Sequence, residues 1–179
     1  DETTCQVTKD GRPSDAKSYM FVYRTSEHCK EKPVILYQYG KTRSKSNIQK
    51  FLTGFSGTLI SDAFSGYKSL DRNDENIHSA FCWAHARRDY ADALKALKGD
   101  AKELAHETVA HKALVQIAAI YKAEEALKDL TAEERYSRRQ REVKPLVEAY
   151  FAWVHEQDPA TILSQKTRDG LNYSMNQEK

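Results

Sequence analysis

The feature that most constrains this chain is a change of texture near residue 82. Five of the seven glycines lie before residue 67, in a stretch rich in β-branched and aromatic residues. Thr3, Cys5 and Val7 alternate with more polar neighbours, and 19–23 and 34–37 are apolar runs of strand length. The turn residues of 11–15 punctuate the first gap, and a charged stretch around Lys30, Glu31, Lys32 and Pro33 the second. A helix is expected over 46–55, with Ile48, Phe51, Leu52 and Phe55 on one face and Ser44 or Ser46 as N-cap. Strands at 57–61 and 77–82 follow. Beyond Cys82 only Gly99 and Gly170 remain, and the apolar residues recur at helical spacing. Tyr90, Leu94 and Leu97 mark one helix; Val109, Ala113, Ile117, Ile120 and Tyr121 mark another. Val143, Leu146, Val147, Tyr150, Phe151 and Val154 mark a third, which Pro145 should kink or divide near Lys144. The order is three strands, a helix, two strands, then helices alone.

Composition narrows the class. Hydrophobic residues make up 40% of the 179, enough to bury a core, which excludes global disorder. The longest apolar run, 149–154, is far short of the roughly 20 residues of a membrane span. Three scattered cysteines, Cys5, Cys29 and Cys82, suggest reduced thiols in a cytoplasmic protein. The 28 basic and 26 acidic residues leave a formal charge of +2, so any basic surface must come from local clustering.

Three stretches carry chemistry. Asp1 opens the first strand and Asp62 ends the fourth. If those strands are parallel neighbours, the two carboxylates converge, and a divalent cation relieves their repulsion. The alternative is that Asp62 caps the following helix and Asp1 is merely terminal. The second stretch is Phe81-Cys82-Trp83-Ala84-His85-Ala86-Arg87-Arg88. Cys82 and His85 have metal-ligand spacing, but zinc needs three or four protein ligands and no second pair exists, so no zinc is expected. Cys82 is expected to be buried and His85 bonded to a neighbour, while Arg87 and Arg88 either hold phosphates or are simply solvated. Third, Lys41, Arg43, Lys45 and Lys50 stand without an intervening acid, and Arg135, Arg138, Arg139, Arg141 and Lys144 cluster further on, offset by glutamates. Such runs are either solvated faces or phosphate contacts.

Together these segments resemble the transposases of the insertion-sequence-66 family, a bacterial group of Asp-Asp-Glu type. The resemblance runs from 1–3 through 18–23, 51–57 and Ser61-Asp62-Ala63-Phe64-Ser65-Gly66-Tyr67 to its most specific element, 82–88. It continues through 120–124, 135–140 with Pro145 and Trp153, then 164–166 and 171–174.

The resemblance implies an α/β, ribonuclease-H-like fold: a five-stranded mixed sheet with a large helical insertion after strand five. The core would span 1–82 and the insertion 83–160, with 161–179 leading toward the final acid. It implies DNA strand cleavage and strand transfer, with Asp1 and Asp62 as catalytic acids holding Mg²⁺ (Mn²⁺ as substitute). Cys82, His85, Arg87 and Arg88 would be the family motif at the root of the insertion. DNA, contacted through Lys41, Arg43, Lys45, Arg87, Arg88 and Arg138, is the expected partner. An oligomer on DNA, no membrane, and a nucleoid-associated cytoplasmic location complete the expectation. The family's last acid, a Glu after Asp-Asn-Asn, has no match within 1–179, so the chain reads as a piece of a longer transposase, inactive alone; Glu103, Glu107 and Glu124 are the acids nearest to a substitute. The alternative is a ribonuclease-H-like module that binds nucleic acid or protein without cutting.

Overall fold

The computed structural model describes residues 1–26, 29, 32–70 and 75–178, which form two compact units, Asp1–Phe81 and Cys82–Lys179. The expected punctuation at Lys30 and Glu31 lies outside the described residues.

In the first unit, β1 (Glu2–Gln6) pairs antiparallel with β2 (Lys17–Arg24), and β2 with β3 (Ile35–Gly40). The register sets Glu2 opposite Phe21 and Tyr23 opposite Leu36. Because side chains alternate across a strand, Glu2, Phe21 and Tyr23 share one face. Against it sits α1 (Lys45–Phe51), whose N-cap Ser44 accepts the Ser46 amide. The helix stops at Phe51 rather than running to Phe55: the chain turns at Gly54, whose φ of +78° suits glycine. Then come β4 (Gly57–Ser61), α2 (Ser65–Lys68) and β5 (Ile77–Phe81), β4 and β5 being parallel. Phe21, Ile48, Leu52, Tyr67, Leu70 and Ile77 are the core, and Tyr23 stacks on Phe51 at 4.0 Å.

The directions within each sheet are those expected, but the described residues form a three-stranded antiparallel sheet and a two-stranded parallel one, not one ladder of five. The backbone of Asp1 is spent on β2, its carbonyl accepting the Val22 amide at 2.8 Å. Side chains, not a backbone ladder, tie β1 to the end of β4, as described below.

The second unit is helical: α3 (Trp83–Lys95), α4 (Asp100–Glu103), α5 (Val109–Glu125), α6 (Ala132–Arg138), α7 (Lys144–His155) and α8 (Gln165–Asn176). The stretch divides at Lys144, where Pro145 was expected to kink or divide it. A π-helical turn over Arg139–Val143 joins α6 to α7, and Pro145 falls in the first turn of α7, where its missing N–H costs least. Tyr90, Ala113, Ile117, Leu127, Tyr150, Val154 and Leu171 are buried together, and Trp83 packs edge-on to Tyr150. Among the described residues, no helix is long and apolar enough to cross a membrane.

Candidate active site

Asp62 follows β4 directly, and the next residue sets its geometry. Ala63 has φ +63°, a left-handed conformation that costs a non-glycine residue energy and persists only where surroundings enforce it. The reversal brings the Phe64 amide back onto Asp62 Oδ1 at 2.9 Å. This fixes one carboxylate oxygen before α2 begins. Close packing supports the turn: a Cβ on Gly66 would lie 2.8 Å from Phe64 Cε1 and 2.9 Å from Ile48 Cδ1, so a larger residue would force these side chains to shift.

A carboxylate oxygen of Asp1 and one of Asp62 lie within 4.8 Å of each other. Ligand bonds of about 2.1 Å let trans ligands of one Mg²⁺ stand about 4.2 Å apart. The two carboxylates are therefore close enough to share one divalent cation with little adjustment.

Two further residues complete this corner. Glu2 turns inward from β1, with a side chain only 1% exposed. Arg43, in the loop before α1, donates through Nε to Glu2 Oε1 and through Nη2 to Asp62 Oδ2 at 3.0 Å. The Tyr67 hydroxyl donates to Glu2 Oε2 at 2.8 Å. The Arg43 guanidinium also lies over the Phe64 ring, 3.9 Å from its centroid, a cation–π contact. Burial opposes the charge on Arg43, but the Glu2 hydrogen bond and the charges of Glu2 and Asp62 outweigh it and raise its pKa. Burial, then the bond to Glu2, raises the Tyr67 phenol, which stays protonated as a donor.

Arg43, one of the expected DNA contacts, is ion-paired with two carboxylates. Glu2 is not marked as a site residue by its sequence, because a strand-end glutamate normally faces water. Its one sequence signal is its neighbour, Asp1.

The remaining expected residues fall elsewhere. Lys41 and Lys45 are exposed around the start of α1, and Arg87 and Arg88 are exposed in α3. Arg138 is engaged by Glu142 through two bonds of 2.9 and 2.8 Å, so its charge is largely offset. Cys82 is half-buried, not buried as expected, because β5 ends at Phe81 and Cys82 becomes the N-cap of α3. His85 is half-buried in the first turn of α3, its amide donating to the Cys82 carbonyl at 3.0 Å. Glu124 is held by Arg139 in a fork with bonds of 2.6 to 3.0 Å, and Glu103 and Glu107 are exposed.

The profile of the transposase IS66 family matches residues 1–179. The chain belongs to this family. Similar curated proteins come from Sinorhizobium fredii (strain NBRC 101917 / NGR234). The uncharacterized protein y4qI is 23% identical over 98% of this chain and 33% of its own length. The uncharacterized protein y4jD is 30% identical over 64% of this chain and 22% of its own length. This IS66-family chain thus spans about a third or less of the curated relatives it matches. No solved structure matches it.

Proposed function

We propose that residues 1–81 are the catalytic core of a DNA transposase, ribonuclease-H-like in plan, in which Asp1 and Asp62 jointly hold Mg²⁺ or Mn²⁺. The approach of the two carboxylates to within 4.8 Å carries this reading. A cation held there would polarise a phosphodiester oxygen and make a bound water or 3′-hydroxyl a better nucleophile. The protein's own contribution is placement. Phe64 N–H fixes one oxygen of Asp62, Arg43 bonds the other, and Tyr67 keeps Glu2 inward to hold Arg43. Such support is what keeps carboxylate ligands in register.

Two acids do not complete a two-cation site for in-line transfer. Glu124, one of the acids nearest to a substitute, is engaged by Arg139, and no Asp-Asn-Asn followed by Glu occurs in 1–179. The third acid is therefore expected from the parent transposase outside these residues. One observation favours a second reading: Arg43 already balances Glu2 and Asp62, as it would in a module that binds DNA or protein without cutting.

Nicking of supercoiled DNA with Mg²⁺ or Mn²⁺ separates the two. The parent protein should nick and its Asp62→Asn variant should not, while the 179-residue chain alone should be inactive. Activity of the parent that survives Asp62→Asn would overturn the catalytic reading.

A further inference from the structure

Resting on the reading of Asp1 and Asp62 as a cation site, we propose that Arg43 is the positioning residue and resident counter-charge of that site. Its guanidinium stays on Glu2 throughout and gives up its bond to Asp62 when a divalent cation enters.

The two ends of the Arg43 fork are not equivalent. Glu2 is 1% exposed, and its oxygens are taken by Arg43 and Tyr67, so a departing guanidinium would leave a buried carboxylate without a counter-charge. Asp62 is 17% exposed and keeps the Phe64 amide on its other oxygen. Its aim therefore survives the loss of the Arg43 bond. Arg43 itself is 40% exposed, so water can take over the freed Nη2, while the Phe64 ring holds the plane of the guanidinium in place. Release at Asp62 costs a partly screened contact, whereas release at Glu2 strands a charge.

The direction of the effect follows from charge. A guanidinium 3.0 Å from Asp62 Oδ2 neutralises the acid that a cation would use, and repels the cation as it arrives. Entry is an exchange, not an addition. It costs affinity, and in return the emptied site has its acids already aligned and their repulsion relieved. Lysine cannot replace this function, since one ammonium does not present two rigidly spaced donors.

The test is calorimetric titration of the 179-residue chain with Mn²⁺ and with Mg²⁺. Glu2→Gln/Arg43→Gln removes both members of the buried pair together, which avoids a stranded charge. This variant should bind Mn²⁺ about tenfold more tightly than the wild type, the repulsion being gone. Arg43→Lys, whose ammonium can stay on Glu2 but not also reach Asp62, should also bind more tightly, and reads the same effect if the double variant does not fold. A ¹⁵N spectrum under saturating Mg²⁺ should retain the hydrogen-bonded Arg43 Nε–H while the Nη signals move. Asp62→Asn should abolish binding. If Asp62→Asn binds like the wild type, or neither the wild type nor the Arg43 variants bind at all, the cation site falls and this inference with it. If Asp62→Asn abolishes binding while the Arg43 variants bind no more tightly than the wild type, the role of Arg43 alone is overturned.

Discussion

Glu2 shows how a residue's meaning can depend on a partner far along the chain. A carboxylate beside another acid, at the start of a strand, belongs in water unless something offsets its charge. Arg43 and Tyr67 do so from 41 and 65 positions away, a juxtaposition that no local spacing encodes. The approach of Asp1 to Asp62 was legible in the strand order, since the two carboxylates meet although β1 and β4 share no ladder. The buried charge also marks its neighbours. Tyr23 is pushed up to about 12, by burial first and the charge of Glu2 second. The sign is definite. An unfolded chain releases this proton near the ordinary value of about 10, the folded chain near 12, so the folded state holds more protons in between. The stabilisation is present below pH 10 and is lost as pH rises from 10 toward 12. Tyr67 and Tyr90 shift in the same direction and add to the fall. Denaturant midpoints measured from pH 9 to 12 should therefore decline, and Tyr23→Phe should make the decline shallower even though it loses the 3.1 Å bond to Gln38. An unchanged slope in that variant would show that Tyr23 ionises normally.

At the scale of elements, the helical half was easier to read than the strands. The periodic positions of α5 and α7 are the ones that pack: Ala113, Ile117, Ile120, Tyr150 and Val154 are all buried. Strand β3 reads as an apolar run and is a strand, yet Ile35, Leu36 and Tyr37 are 56%, 48% and 68% exposed. An edge strand has one neighbour, and a run without alternation gives no sign of which face is covered. Gly170 was equally opaque. A glycine inside α8 looks like a weakness, since alanine is favoured by about 1 kcal/mol in a helix. Here a Cβ would stand 2.8 Å from Tyr90 Cε1, and that ring has no freedom. Tyr90 is fully buried, and its hydroxyl meets those of Tyr150 and Ser174, both at 3.4 Å. Overpacking of this kind costs about 1–3 kcal/mol, which offsets or exceeds the propensity gain. Gly170→Ala should lower stability by up to about 2 kcal/mol net, read as an earlier denaturant midpoint with unchanged slope. A stabilised variant would mean that α3 and α8 separate easily.

Across the whole molecule the question is how much positive charge is left for DNA. A net +2 with 28 basic residues sets a low ceiling, and pairing lowers it further. Arg12, Arg43, Arg138 and Arg139 are each committed to a carboxylate. Those commitments differ in kind. Arg138 with Glu142 is an exposed pair on one helix, worth little and open to competition from a phosphate. Arg43 answers a carboxylate that is nearly sealed from water, so trading it for a phosphate would strand that charge. Of the six expected DNA contacts, Lys41, Lys45, Arg87 and Arg88 are exposed, and among the described residues no ion pair engages them. Each phosphate neutralised on duplex DNA contributes about 0.9 to the slope of log affinity against log salt, so four contacts give about 3.6 at most. Binding to random duplex should therefore be weak, and its salt slope should lie at or below about 3.6. The combined change of Lys41, Lys45, Arg87 and Arg88 to alanine should flatten the slope nearly to zero, whereas Arg138→Ala should change it by less than one contact's worth. A slope well above four contacts would show that the paired arginines leave their carboxylates for phosphate. An affinity indifferent to salt would show that this chain does not hold DNA by its backbone at all.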